Sequence, residues 1–126
     1  MAEFQTITNL EILGVSDAGD LSRERVILKA NRDCDLANYL LLDNTYLGDG
    51  SVSELNRHVY WFPTYPVKAG SYILLYSKEG DNRSMVDRVG DTLHVFYWGL
   101  KKTVWNEDGD AVTLVHTGRF SCKKVG

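Results

Sequence analysis

Long apolar runs are what this sequence most plainly lacks. The longest, YLLL, YILLY and VFYWGL, fall well short of the ~18 residues that a membrane-crossing helix needs. Runs of one charge are missing as well. No stretch of Lys or Arg exceeds two residues and the net charge is −3. That argues against a protein built to grip nucleic acid backbones, where a basic surface must displace counterions. The first residues, MAEFQTITNLEILG, include an acid, no basic leader and no long apolar block. No signal peptide is therefore expected, and a chain complete as given is expected in the cytoplasm. Cysteine is scarce: Cys34 and Cys122 stand apart, neither in a C-x-x-C. In a reducing compartment such cysteines are usually free and inert, and whether these two pair stays open. His58, His94 and His116 stand alone, with no partner at metal-ligand spacing, so neither a metal nor another cofactor is expected. There is no G-x-S-x-G elbow, and the glycines are dispersed through turns rather than gathered into a phosphate-binding loop. Ser51, Ser53 or Ser84 could in principle meet a histidine and an aspartate. Nothing in the sequence couples such a nucleophile to a base, and no catalytic residue is expected.

No window sustains an apolar i, i+3, i+4, i+7 stripe with caps, so no long helix is expected either. What is present is turn chemistry at short intervals: DAGD (17–20), NRDCD (31–35), LGDG (47–50), EGDN (79–82), VGD (89–91), EDGD (107–110) and HTG (116–118). Asp, Asn and Gly tolerate the left-handed backbone of tight turns. The acidic clusters there, such as Glu107, Asp108 and Asp110, match no Ca²⁺-loop spacing and are read as turns. Between the turns lie runs rich in β-branched and aromatic residues, predicting strands near 5–15, 23–30, 36–42, 58–62, 71–77, 92–98, 110–115 and 119–123. In RERVILKAN, Val26, Leu28 and Ala30 alternate with Arg25, Ile27 and Lys29, and Val112 and Leu114 share a face. Many short strands with turns between them mean a sandwich or barrel. At 126 residues the chain is expected to be one domain, 1–126, with 1–4 and 124–126 flexible. Such a fold buries roughly two-thirds of the surface of its unfolded chain, enough for a core without staples. Two polar connections are long, 43–57 and 78–91.

The order of motifs resembles the lamin tail domain, an immunoglobulin-like β-sandwich, over about residues 10–120. An opening LEILGV leads to ERVILKAN, similar to an E-x-V-x-L-x-N strand, then to LANYLLLD, similar to L-x-G-W-x-L. YWFPTYPVKAGSYILLY resembles Y-x-F-P followed by L-x-x-G and a β-run, and VWNEDGDAVTLV resembles a closing W-N-x-x-G-D-x-V-x-L hairpin. Asn38 stands where the pattern has Gly and Tyr39 where it has Trp; Asn is the next-best residue for a left-handed turn. Each piece also has its own physics. Lys68-Ala69-Gly70 turns the chain before a buried strand, Pro63 and Pro66 end the strand before them, and Asp108-Gly109 is a hairpin-turn dipeptide.

The resemblance implies an all-β, immunoglobulin-like sandwich of the lamin-tail type, serving as a non-enzymatic adaptor. It further implies that Tyr60 and Phe62 point inward and Trp61 outward. Ile73 and Leu75 then take inward positions, leaving Tyr72, Leu74 and Tyr76 outward by alternation. An outward row of Trp61, Tyr72, Leu74 and Tyr76 is not what a soluble monomer usually displays. It is the expected contact surface for a protein partner or a second copy, since Tyr and Trp are enriched at binding hot spots. The alternative from another class is a small-ligand or hydrolytic site made by loops 43–57 and 78–91, with Asp43, Arg57, Arg83, Asp87 or Arg88 converging.

Overall fold

The computed structural model describes residues 7–45, 58–105 and 109–126. Among them the fold is all-β, with ten strands and one 3-10 turn at Leu36–Asn38. The strands are β1 (Leu10–Ser16), β2 (Arg25–Ala30), β3 (Cys34–Asp35), β4 (Tyr39–Thr45), β5 (Val59–Trp61), β6 (Pro66–Val67), β7 (Tyr72–Tyr76), β8 (Arg83–Val86), β9 (Thr92–Tyr97) and β10 (Asp110–His116). They form a five-stranded sheet in the order β1-β2-β7-β9-β8, a three-stranded sheet β10-β4-β5, and a small β3-β6 pair. β7 and β9 run parallel; the other pairings are antiparallel. The two larger sheets face each other across one apolar core, as in a β-sandwich. Val26, Leu28, Ile73, Leu75 and Phe96 come from one sheet and Tyr39, Leu41 and nearby Phe62 from the other. The Phe62 and Phe96 rings meet edge to face across it, centroids 5.4 Å apart. Burying each such side chain stabilises by roughly 1.5–3 kcal/mol, so the alternation in the sequence is what selects the inward face.

That alternation is realised in β2 and β7. Val26, Leu28, Ala30, Ile73 and Leu75 are buried, while Arg25, Ile27, Lys29, Tyr72, Leu74 and Tyr76 are half-buried on the other side. Phe62 is buried and Tyr60 packs against the core beside it, while Trp61 is 45 % exposed. In β1 the register slips between Ile12 and Gly14, a bulge in which Gly14 holds φ +151°. The Lys68-Ala69-Gly70 turn forms as expected. Gly70 has φ +89°, the Ser71 amide donates to the Lys68 carbonyl at 3.1 Å, and β7 begins at the next residue.

Several expectations are corrected. Residues 119–123 form no strand: the chain leaves β10 at His116 and continues without a ladder partner. The connection 78–91 is not all loop, because it contains β8, which pairs with β9 around a tight Asp87–Asp91 turn. No apolar alternation marked this strand; its four residues are all exposed. Pro66 does not simply terminate a strand but starts β6, opposite Asp35, where its missing N–H is not needed. Asn38 ends the 3-10 turn without a left-handed backbone, since Asp17 is the one non-glycine with positive φ among the described residues. The turn of the expected closing hairpin falls in part outside the described residues. Asp108 lies outside the described residues, and Val104-Trp105 is irregular chain rather than a strand paired with β10.

Candidate functional site

The four residues expected to share one surface are divided by the topology. Tyr72, Leu74 and Tyr76 lie on β7, in the middle of the five-stranded sheet, whereas Trp61 lies on β5, at the edge of the three-stranded one. Because the two sheets pack face to face, their outward side chains point to opposite sides of the molecule. The sequence places β5 and β7 close in the chain, but adjacency in sequence did not make them neighbours in a sheet. Trp61 also has local partners: its indole N–H donates to the Ala37 carbonyl at 2.7 Å, and its ring meets Phe120 edge-on at 4.8 Å.

The face around β7 is broader than the sequence suggested. Register sets three rows across it: Arg25, Tyr76 and Tyr97; Ile27, Leu74, Val95 and Arg83; Lys29, Tyr72, Leu93 and Met85. Val95 points outward yet is only 2 % exposed, so the side chains around it close into a packed layer. Tyr76 and Tyr97 stack nearly parallel, centroids 5.5 Å apart. Cations stand over the phenol rings: Lys78 Nζ is 5.3 Å and the Arg25 guanidinium 5.8 Å from the Tyr76 centroid, and Lys29 Nζ is 5.8 Å from that of Tyr72. Such contacts hold positive charge over the ring faces. A hollow of about 260 Å³ opens between Ile27, Leu74, Tyr72 and Leu93, with Asp87 and Asp91 at one end. Ile27, Leu93, Val95 and Tyr97 join Tyr72, Leu74 and Tyr76 through register alone. The alternation of Ile27 with Val26 and Leu28 was the one sequence signal for any of them.

Two polar clusters lie elsewhere. At the start of β5, Asp43 and His58 face each other. The His58 amide donates to Asp43 Oδ1 at 2.7 Å, and the ring Nδ1 lies 3.3 Å from Oδ2, with His58 packed edge-on to Trp98. At the other end of the sandwich, register pairs Ser84 with His94. Ser84 Oγ lies 3.0 Å and Tyr65 Oη 3.1 Å from His94 Nδ1, and the two hydroxyls hydrogen-bond each other. Burial pushes the His94 imidazole below its usual range, favouring the neutral ring that can accept a hydroxyl proton. A nucleophile and base at this spacing have the geometry of hydroxyl activation. His94 also lines a cavity of about 320 Å³ with Lys68, Gly70, Ser71, Gly90 and Asp91. The amides that would polarise a carbonyl there are already committed. Gly70 donates to Ala30, Ser71 to Lys68, Gly90 to the Asp87 carbonyl and Asp91 to the Asp87 carboxylate. These four amides therefore make no oxyanion hole.

Of the residues expected to converge in a long-loop site, Asp43 and Asp87 have separate surroundings. Asp43 sits beside His58, near Trp98. Asp87 instead receives the Val89 and Asp91 amides at 3.0 and 2.9 Å in its own turn, next to Leu93. Arg57 lies outside the described residues, as does most of 43–57. Among the described residues no three His, Cys, Asp or Glu side chains gather in a way that could hold a metal, and no helix is long and apolar enough to cross a membrane. Cys34 and Cys122 are both free. Burial, with Asp33 and Asp35 alongside, pushes the Cys34 thiol up and so suppresses its nucleophilic form.

Comparison with known protein families, with curated proteins and with solved structures found no match to this chain.

Proposed function

We propose that this chain is a non-enzymatic interaction module, an immunoglobulin-like sandwich of the lamin-tail type, that binds a protein partner through the outer face of its five-stranded sheet. One observation carries the reading: a continuous apolar and aromatic layer, Ile27, Tyr72, Leu74, Tyr76, Leu93 and Tyr97, spans the three central strands of that sheet. The loop before β8 lies against Tyr97, and all six side chains stay partly exposed. A sheet that served only the core would carry polar side chains on this side. Aromatic residues in a flat, ordered layer supply large contact area at low entropic cost, which suits recognition. Lys29, Lys78 and Arg83 stand around the layer, so the favoured partner presents an apolar strip flanked by carboxylates. Binding is preferred over catalysis because four amides lining the cavity beside the His94 cluster, those of Gly70, Ser71, Gly90 and Asp91, are already hydrogen-bonded.

The test compares parent and a Leu74→Ser/Tyr76→Ser double variant. Proteins retained by each are identified, and a candidate retained by the parent is purified and its affinity for both measured. A loss of binding of tenfold or more is expected, as ~1.4 kcal/mol per decade is well within what truncating two central contacts removes. Equal affinity for both chains would end the reading.

A further inference from the structure

Among the described residues the free edge of β8 has no bulge or proline to stop the sheet, only its shortness and Arg83. At the opposite edge β1 carries a bulge at Gly14 and an exposed Glu11, features that discourage pairing. β8 has neither bulge nor proline, and Met85 and Val86 on it are 41 % and 67 % exposed. The direction of its backbone groups follows from the turn. Asp87 N–H donates to the Asp91 carbonyl, so Asp87, Met85 and Arg83 turn their backbone polar groups toward β9. Those of Ser84 and Val86 must then point away from the sheet, and they have no partner among the described residues. Unpaired N–H and C=O groups in a row are a template for another strand.

We infer that β8 pairs antiparallel with β8 of a second copy about a two-fold axis at Met85, joining two five-stranded sheets into one. Three properties of the segment Arg83-Ser84-Met85-Val86-Asp87 select this register. The outward-pointing groups of Ser84 meet those of Val86 in the other copy, and each of these pairs exchanges both of its hydrogen bonds. Arg83 falls opposite Asp87 twice, so unlike charges meet at both margins. Met85 meets its own copy on the outer face, an adaptable apolar contact. Shifting the axis to Ser84 would set Asp81 against Asp87 and lose the ion pairs, and like charges directly opposite are destabilising. The interface is isologous and closed, so it ends at a dimer. It leaves Tyr72, Leu74 and Tyr76 untouched and shares with the partner-binding face only Arg83 at its margin.

The experiment measures mass in solution over a wide concentration range and traps the register chemically. Val86→Pro removes only an N–H that faces solvent, a position where an edge strand accepts proline. The parent is expected to show a concentration-dependent dimer that this variant loses. In a Cys122→Ser background, Met85→Cys places two thiols across a non-hydrogen-bonded pair with Cα atoms about 4.5 Å apart, within disulfide range. Mild oxidation is expected to yield a reducible dimer from Met85→Cys and not from Arg83→Cys, whose opposite number is Asp87. A parent that stays monomeric at every concentration, or equal cross-linking by both cysteine variants, would overturn the inference. Should Val86→Pro fail to fold, the cross-linking comparison decides alone. Leu74→Ser/Tyr76→Ser is expected to leave the dimer unchanged, which separates this interface from the partner-binding face.

Discussion

Glu24 shows how one side chain can fix the position of a segment eighty residues away. It is fully buried, and its carboxyl oxygens accept from the Ser77 hydroxyl, the Val104 amide at 2.9 Å, the Trp105 amide at 3.1 Å and the Gly19 amide at 2.9 Å. A carboxylate has about four acceptor directions, and here every one is used. The residues it holds, Val104 and Trp105, are core members with no strand of their own to locate them. Replacing Glu24 by Ala would strand buried amide and hydroxyl donors, and the expected loss is about 3–5 kcal/mol, the sum of a few unsatisfied groups. Glu24→Gln keeps one acceptor oxygen but turns an NH₂ toward two donors, so its loss should be smaller than that of Ala yet still clear. Urea unfolding checks both: the midpoint should fall in the order parent, Gln, Ala with little change in slope. An Ala variant as stable as the parent would mean that Val104 and Trp105 are held by packing alone. The sequence offered no sign of this role, because Glu24 stands between two arginines and looks like an exposed strand charge.

Among the elements, those with strong alternation were legible and those held by polar contacts were not. β2 and β7 could be read because burying Val26, Leu28, Ile73 and Leu75 leaves no other choice of face. β8 could not, since Arg83, Ser84, Met85 and Val86 carry no periodic pattern and pair only because the Asp87 carboxylate folds the turn that follows them. The outward direction of Tyr72, Leu74 and Tyr76 was legible for the same reason as the inward direction of Ile73. Their separation from Trp61 was not, because alternation fixes faces within a strand and says nothing of which sheet a strand joins. The loop before β8 adds a constraint of its own. Gly80 lies against the Tyr97 ring, where an added Cβ would sit 2.7 Å from Cγ and closer still to Cδ1 and Cε1. Gly80→Ala should therefore displace the Tyr97 ring from its stack on Tyr76 while sparing the core. The measurement is the aromatic NMR spectrum. Shifts confined to Tyr76, Tyr97 and their neighbours are expected, with a modest drop in melting temperature. An unchanged Tyr97 environment would show that the loop backs away from the ring instead.

At the scale of the whole molecule the two outer faces are treated differently. Among the described residues the five-stranded side has only the loop before β8 lying against its aromatic layer, at Tyr97, whereas the three-stranded side receives the chain end. Past β10 the backbone turns at Gly118, and Phe120 sets its ring edge-on to Trp61, which is also tied through its indole to Ala37. Leu40, Leu42 and Val115 lie half-buried on that same outer side, so Phe120 partly shields an apolar surface rather than extending the sheet. This gives residues 119–123 a use even though they form no strand. Removing the chain after Gly118 should leave the sandwich folded, because no described core residue lies beyond that point. It should shift the Trp61 contribution to the fluorescence to the red, as the indole gains water. It should also increase binding of an apolar dye, and Leu74→Ser/Tyr76→Ser should not reverse that increase, since those residues face the opposite side. Phe120→Ala alone should reproduce most of both changes. If the truncated chain instead emits and binds dye like the parent, the Phe120–Trp61 contact does not shield this face, and Val59, Leu40 and Trp61 would become a second surface with a claim to recognition equal to that of the five-stranded sheet.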